Sequence, residues 1–294
     1  MTLDRRTFVK AGAATAVAAL TNALKGLPAL AADDAVEFAR HFAELGYKMV
    51  DPVNLIQPHE YNGGLLYTCL DGYHKQDRSK EPDKWFVMQG CGRLEDVEVK
   101  HEPAVLAHFH IISFRNIKPA YPGEILDLAL EYLIRKAEFK PERMIFVSTE
   151  KFRPFVKQLE PFGITGKQVV YRSIDEAMQA RDGSGYFSPA GHPADPGNYC
   201  ASFHYVPEGK PIPKSVGYPP EGYIEIGEFL FESAKKPHVK VDALSFGVER
   251  LAMARGKPAG DFESSRKQLV AKLEAEAKRR GVDLPDAHGK YSEL

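Results

Sequence analysis

Apolar residues recur at helical spacing in two stretches of the chain. Over 34–45 the apolar positions follow a 3.6-residue period, with Asp33 or Asp34 placed to cap the helix and Gly46 placed to end it. A second apolar stripe with the same period runs over 124–138. The pattern therefore predicts two amphipathic helices.

Short runs rich in β-branched and aromatic residues predict strands around these helices. They lie over 47–50, 84–88, 109–114, 144–148, 168–171, 199–205 and 223–231. A charged helix is predicted over about 262–280, ended by cations and Gly281. Many strands with few helices indicate an α+β fold with a largely antiparallel sheet. One domain is expected over 32–258, followed by a C-terminal helix and tail over 259–294.

The first 31 residues differ in pattern from the rest of the chain. Arg5 and Arg6 precede an uncharged, Ala-rich run of 14 residues over 11–24, and Ala29-Leu30-Ala31 forms a small-residue cleavage pattern. The segment resembles a twin-arginine export signal, which implies the twin-arginine translocase as a partner and a periplasmic or otherwise exported protein. No stable membrane anchor is expected, because a spanning helix needs about 20 strongly apolar residues. The alternative is an amphipathic N-terminal helix with a chance pair of arginines.

Charge argues against one class of function, and the cysteine content leaves a disulfide optional. Removal of residues 1–31 takes away four basic side chains and one acidic side chain, so the net charge falls from −1 to −4. A mildly acidic chain is not typical of a general nucleic-acid binder. Cys69, Cys91 and Cys200 permit one disulfide in an exported protein but do not require one.

Several short motifs follow one another in a characteristic order. They are the helix and strand region over 38–67, CGR at 91–93 with DVE at 96–98, the Gly/Pro-rich stretch 188–205, EIGE at 225–228, and VDALSFGVERLAM at 241–253. In the last of these, a strand passes through a glycine into a helix that opens with Glu249 and Arg250. The series resembles the catalytic core of class II aminoacyl-tRNA synthetases, of the alanyl type, over about residues 36–256.

This resemblance implies a six-stranded antiparallel sheet flanked by helices, with ATP, Mg²⁺ and an amino acid or related carboxylate bound on it. The implied nucleotide ligands are Arg93, Glu98, His110, Glu249 and Arg250, and the implied substrate ligands are Glu225, Glu228 and Asp242. In the implied reaction the carboxylate attacks the α-phosphate, Arg93 and Arg250 stabilise the developing charge, and Glu228 orients the substrate. As an alternative, each arginine is half of a structural ion pair.

Glu225 and Glu228 differ by three positions, so a regular strand would turn them to opposite faces. A bulge at Gly227 would turn both inward. Glu228 is expected to share its face with apolar residues, namely Ile224, Ile226 and Leu230. A carboxylate on an apolar face is costly unless it is paired, which favours Glu228 as the group that holds an amino group or a metal.

His108 and His110 are spaced to point to one face of a strand. That spacing is compatible with a metal site if a third ligand converges, and Cys200, His192 and His204 are the candidates. Ordinary hydrogen-bonded histidines are the alternative, and no metal ligand is assigned.

Three function classes follow from these observations. The first is an enzyme that activates an amino acid or related carboxylate with ATP and passes it to a small acceptor, without tRNA, because the tRNA-recognition modules of the family are absent. The second is an exported, catalytically degenerate synthetase-fold protein that binds an amino acid, a nucleotide-like ligand or a metal. It is favoured because His108-Phe109-His110 differs from the residues that the family has in the corresponding strand, its motif 2. The third is a scaffolding subunit. Homodimerisation, which class II cores use, is compatible with the first two.

Overall fold

The computed structural model describes residues 29–56, 82–92, 104–187, 197–214, 217–234 and 240–282. Several sequence predictions lie outside these residues: Arg5 and Arg6, Cys69, Arg93, Glu98, His192 and the tail from residue 283. The described helices are α1 (Ala29–Glu44), α2 (Glu124–Leu130, continued by a π-helical turn Glu131–Lys136), α3 (Val156–Leu159), α4 (Ile174–Ala180), α5 (Val248–Ala254) and α6 (Phe262–Arg280).

The strands join into one mixed sheet. They are β1 (Lys48–Met49), β2 (Lys84–Gly92), β3 (His108–Asn116), β4 (Met144–Thr149), β5 (Val169–Arg172), β6 (Tyr186–Phe187), β7 (Asn198–Tyr205), β8 (Ile224–Ser233) and β9 (Lys240–Gly247). The order is β1-β2-β3-β9-β8-β7-β4-β5, with β6 paired to β7. The α+β class is therefore confirmed.

The predicted strand number is wrong. Within the described residues the sheet has nine strands, not six. The strands from β2 to β4 in the spatial order form a run of six antiparallel neighbours, and β1 and β5 add parallel edges to it. The number six came from the family resemblance, whereas the β-rich runs over 47–50 and 168–171 had already indicated β1 and β5. Only β6, with two residues, is too short to leave a pattern in the sequence.

The two faces of the sheet differ in what they pack against. One face, the helix face, carries the main core with α1 and α2, and aromatic rings such as Phe38, Phe114 and Phe246 meet there. The other, the second face, carries two smaller apolar clusters, one around Trp85 and one around Leu230. Burial of aromatic rings on the helix face contributes about 1.5–3 kcal/mol each, so this face anchors the fold.

Helix α1 begins earlier than its sequence pattern indicates. It starts at Ala29, so Asp33 and Asp34 lie inside the helix and neither caps it, contrary to the prediction. Asp34 instead accepts hydrogen bonds from Arg255 at 2.7 Å and from Lys257 at 2.8 Å. The predicted stop is confirmed, because Gly46 follows the helix with a φ of +89°.

Within the described ranges, no helix combines the length and apolarity needed to cross a membrane. Of the three cysteines, Cys91 and Cys200 are buried, on the second face.

Candidate functional site

A β-bulge in β8 brings Glu225 and Glu228 to the same face of the sheet. Phe203 of β7 lies opposite Gly227, but the next residue, His204, lies opposite Glu225, which leaves Ile226 as an extra residue. The predicted bulge is thus present one position before Gly227. Ile226 enters the helix-face core and Ile224 packs against it, so neither shares a face with Glu228 as predicted. Leu230 does.

The turn at Gly183 marks where the two carboxylates converge. A Cβ atom placed on Gly183 would lie 3.1 Å from Oε1 of Glu228 and 3.7 Å from Oε1 of Glu225. Gly183 has a φ of +86°, a conformation that glycine adopts without steric cost. The absence of a side chain at this turn therefore lets both carboxylates approach the backbone of Gly183 closely.

Glu228 is a half-buried acid with no counter-ion among the described residues. Its Oε1 is inaccessible to solvent and has no hydrogen-bond partner in the described part of the chain. Burial, followed by the charges of Glu225 and Asp182, raises the pKa of Glu228 to about 8. The Cys200 thiol lies beside it, donates to the Gly183 carbonyl at 2.9 Å, and has a pKa raised by burial and by Glu228. At neutral pH the carboxyl of Glu228 is therefore mostly protonated.

The neighbouring carboxylates, in contrast, each have an arginine. Glu225 Oε2 pairs with Arg250 at 3.2 Å, and the two side chains are 31% and 30% exposed. Asp182 pairs with Arg172 at 2.8 Å. Three acidic groups thus share this part of the second face with two guanidinium groups, and the charge that Glu228 acquires on ionisation has no counterpart among the described residues.

A chain of hydroxyl and imidazole groups lies on the same face. His204 Nε2 is 2.9 Å from the Ser202 hydroxyl, which is 3.1 Å from the Ser184 hydroxyl. Burial lowers the pKa of His204, so its ring is neutral at physiological pH. These hydrogen-bonded side chains form a polar surface beside the carboxylates.

The structure does not bring His110 and Glu249 to this face. His110 lies on the helix face, where its Nδ1 is 2.8 Å from Glu249 Oε1 and its backbone N–H donates to Glu249 Oε2 at 2.9 Å. The neighbouring His108 is buried, and neither ring nitrogen has a hydrogen-bond partner among the described residues. Burial lowers the pKa of His108 to about 2. The contact between His110 and Glu249 holds the start of α5 against β3.

The histidines and their proposed partners do not form a metal site in the described part of the chain. His108 and His110 face the helices, while Cys200 and His204 are on the opposite face. Among the described residues, no three His, Cys, Asp or Glu side chains come together in an arrangement that could hold a metal ion.

Asp242 also lies on the helix face, two residues before the core residue Leu244. Its Oδ2 accepts a hydrogen bond from the N–H of Ile125 at 3.2 Å, at the start of α2. Burial raises the pKa of Asp242 to about 7. In this position Asp242 caps a helix and is separated from Glu228 by the sheet.

The predicted nucleotide ligands do not converge at one place within the described residues. Of the predicted nucleotide ligands, His110 and Glu249 bond to each other on the helix face, and Arg93 and Glu98 lie outside the described residues. Arg250 is beside the carboxylates, but its guanidinium is bonded to Glu225 and to the Ala104 carbonyl, the latter at 3.3 Å.

The sequence did not indicate Asp182, Arg172 and Tyr218 as site residues. Their side chains contact one another on the side of the site that is nearest to β5. Tyr218 donates a hydrogen bond to Asp182 and stacks on Arg172, with the guanidinium 3.8 Å from the ring centroid. The sequence DGSG at 182–185 signals a turn, which is the one feature that could have indicated a close backbone approach here.

Comparisons with known proteins give one structural similarity. No family model matches the sequence, and no curated protein matches it. Among solved structures, the chain is similar to the apo crystal structure of histidyl-tRNA synthetase from S. aureus, with a TM-score of 0.41 and 10% sequence identity. The alignment covers 85% of this chain and 76% of that chain.

Proposed function

We propose that this chain is a class II synthetase-like protein that binds the ammonium group of an amino acid or related small amine at Glu228. The observation that carries the proposal is a carboxyl with one buried, unbonded oxygen and no cation among the described residues. It lies near Glu225 and Asp182, whose charges are already matched. An ammonium group supplies the missing positive charge and three N–H donors. The motif order along the sequence supports the synthetase kinship.

Proton release on binding is the signature of this site. Because the pKa of Glu228 is about 8 without ligand, the carboxyl must lose its proton before it pairs with an ammonium ion. Below pH 8 the affinity for a small amine is expected to rise about tenfold per pH unit. Isothermal titration between pH 6 and 8, in buffers of different ionisation enthalpy, measures both the affinity and the number of protons released.

The variant Glu228→Gln tests the assignment directly. It keeps the size of the side chain but cannot ionise, so amine binding should become weak and nearly independent of pH. Glu263→Gln, on the exposed surface of α6, is the matched control and should bind as the wild type does. Unchanged amine affinity in Glu228→Gln would refute the proposal.

ATP-dependent activation of the bound amino acid, of the alanyl type, is the second candidate. It is favoured by Arg250, which follows the Gly247 turn between β9 and α5 and whose ion pair with Glu225 is exposed enough to exchange for an anion. ATP–pyrophosphate exchange, with alanine tested first, distinguishes the two functions. Exchange with any amino acid supports an enzyme, whereas a ligand-induced thermal shift without exchange supports binding alone.

Export through the twin-arginine pathway to the periplasm is part of the proposal. It rests on Arg5, Arg6 and the small-residue pattern that ends at Ala31. Changing both arginines to lysine should retain the protein in the cytoplasm, which cell fractionation measures. Cytoplasmic retention of the wild type would contradict export and leave the ammonium site unaffected.

A further inference from the structure

A cleft of about 210 Å³ lies between α1, the π-helical turn after α2 and the end of α5. It is on the side of the sheet that carries the helices and shares no residue with the candidate site around Glu228. His41 and Tyr132 line the cleft and are buried, with 6% and 7% of their surface exposed. The Tyr132 ring stacks on Phe38 at a centroid distance of 4.4 Å, so the core holds this part of the cleft in place.

The π-helical turn contributes two of the residues that line the cleft. Tyr132 and Lys136 both belong to the segment Glu131–Lys136, and the backbone N–H of Ala137 donates to the Tyr132 carbonyl at 2.8 Å across the wide turn. Single π-helical turns are rare and occur frequently at functional sites. The turn therefore indicates a role for this cleft beyond packing.

The ammonium group of Lys136 is held by a neutral partner. Its Nζ is 2.8 Å from Nδ1 of His41, and because an ammonium group only donates, Nδ1 accepts and the ring proton is on Nε2. Burial, followed by the charge of Lys136, lowers the pKa of His41, so the imidazole stays neutral. Within the described ranges, no carboxylate forms an ion pair with Lys136. Its charge is exposed and available to an anion.

Charged side chains line the rest of the cleft. They are two cations and three carboxylates: Arg40, Arg255, Asp34, Glu37 and Glu44. Arg40 pairs with Glu37. Asp34 is shared by two cations, Arg255 at 2.7 Å and Lys257 at 2.8 Å. With Lys136, four cations thus meet three carboxylates, and the excess positive charge favours an anion as the ligand.

We propose that the cleft binds a small metabolite through a carboxylate or phosphate group, with Lys136 as its main contact. The ammonium group keeps two of its three N–H donors for the anion after bonding to His41. Arg255 is 32% exposed in its pair with Asp34, so its planar guanidinium can add a bidentate contact. The ligand is small, because sites for drug-sized molecules measure roughly 300–1,000 Å³. The cleft is independent of the ammonium site, and Glu228→Gln should leave its anion affinity unchanged.

Titration of the full chain with inorganic phosphate and with malonate, at constant ionic strength, tests for this site. Nuclear magnetic resonance of the ¹⁵N-labelled protein should show saturable shifts in the amides of 34–44 and 131–137. Saturation by phosphate alone would assign a phosphate ester as the ligand, and saturation by malonate alone would assign a carboxylate. Shifts that do not saturate with either anion would rule out an anion site in this cleft.

Single-residue variants locate the contact. Lys136→Gln should weaken the affinity for the saturating anion about tenfold, whereas Lys136→Arg should retain most of it. Glu44→Gln removes an exposed acid from the cleft and should strengthen binding, a gain that loss of folding cannot produce. Lys267→Gln, an exposed lysine of α6, is the control for loss of a positive charge and should bind as the wild type does. Equal affinities of Lys136→Gln and Lys267→Gln would overturn the assignment.

Discussion

At the scale of single residues, His110 and Glu249 were predicted to bind a nucleotide, but in the structure they bond to each other and stabilise the fold. The two side chains are 3% and 5% exposed, and the Glu249 carboxylate accepts from both the ring and the backbone of His110. Buried hydrogen bonds to a charged group contribute more than neutral ones, so this contact ties α5 to β3.

Replacement of Glu249 is therefore expected to lower stability. Glu249→Gln removes the charge and should reduce the free energy of unfolding by about 2 kcal/mol, measured by urea denaturation. Glu263→Gln, which loses only an exposed pair with Arg266, should change it by less than about 0.5 kcal/mol. Equal effects of the two substitutions would contradict the structural role of Glu249.

The raised pKa of Glu228 also has a consequence for stability. The folded-state pKa of about 8 lies above the unfolded value, so the folded state binds the proton more tightly, and the stabilisation is lost as pH rises towards 8. Glu228→Gln never ionises. Its melting temperature should therefore increasingly exceed that of the wild type between pH 5 and pH 9, as measured by calorimetry; a constant difference would show that Glu228 ionises normally.

The sequence predicted the chemistry of Glu228 better than the placement of Asp242. A costly carboxylate was predicted and the structure has one, although of its predicted apolar neighbours only Leu230 lies on the same face, while Ile224 and Ile226 are on the helix face. Asp242 is a buried acid of the same type in sequence, but strand alternation from Leu244 turns it to the helix face. Which face of β9 meets helices depends on tertiary packing, so the sequence alone could not separate the two acids.

At the scale of elements, Gly227 is required by the close approach of β8 and β9. A Cβ atom there would lie 2.2 Å from Cδ1 of Phe246 and 2.5 Å from the carbonyl oxygen of Ser245. Because a backbone atom is one of the obstacles, side-chain rotation alone cannot relieve the clash.

The variant Gly227→Ala is expected to separate these two strands locally. The loss in free energy of unfolding should be about 3 kcal/mol, measured by chemical denaturation. Gly217→Ala, where a Cβ would meet nothing within 4 Å, is the control and should be nearly neutral. A neutral Gly227→Ala would mean that the strands are not this close.

Most elements could be predicted from local patterns, and the exceptions have physical reasons. The charged helix over 262–280 matches α6 because both of its ends carry explicit signals, Asp261 as a side-chain cap and Gly281 in a left-handed conformation. Helix α4 was not predicted, although Ser173 and Glu176 form a capping box, because only one of its side chains, Ala177, is buried. The π-helical turn after α2 has the same apolar stripe as an α-helix and cannot be distinguished by periodicity.

At the scale of the whole molecule, one core connects the first described helix to the last strand. Residues of α1, α2, β8 and β9 belong to the same buried cluster, which favours a single cooperative transition. Trp85, the one tryptophan of the sequence, lies on the second face and reports on the side away from that cluster.

Unfolding is thus expected to be two-state by two independent measures. The tryptophan fluorescence and the far-UV circular dichroism should follow the same denaturation curve, with midpoints that agree within error. An earlier fluorescence transition would show that the second face unfolds separately from the helix face.

The pairing of distant strands is the part of the fold that local sequence could not supply. β9 lies between β3 and β8, and neither spacing nor composition identifies β3 as a neighbour. The motif order suggested such a sheet, but it did not predict the parallel edges formed by β1 and β5. Long-range pairing depends on complementary packing of whole surfaces, which short motifs do not encode.

The extra residue in β8 makes this strand sensitive to changes in its length. Deletion of Ile226 would restore plain alternation and exchange the sides on which the two halves of the strand display their side chains. Either Glu225 would enter the aromatic interior or Phe229 would leave it. Homologous chains should therefore vary the amino acids of this strand more readily than they insert or delete one, and an alignment gap within 224–230 would mark a protein that no longer binds the same ligand.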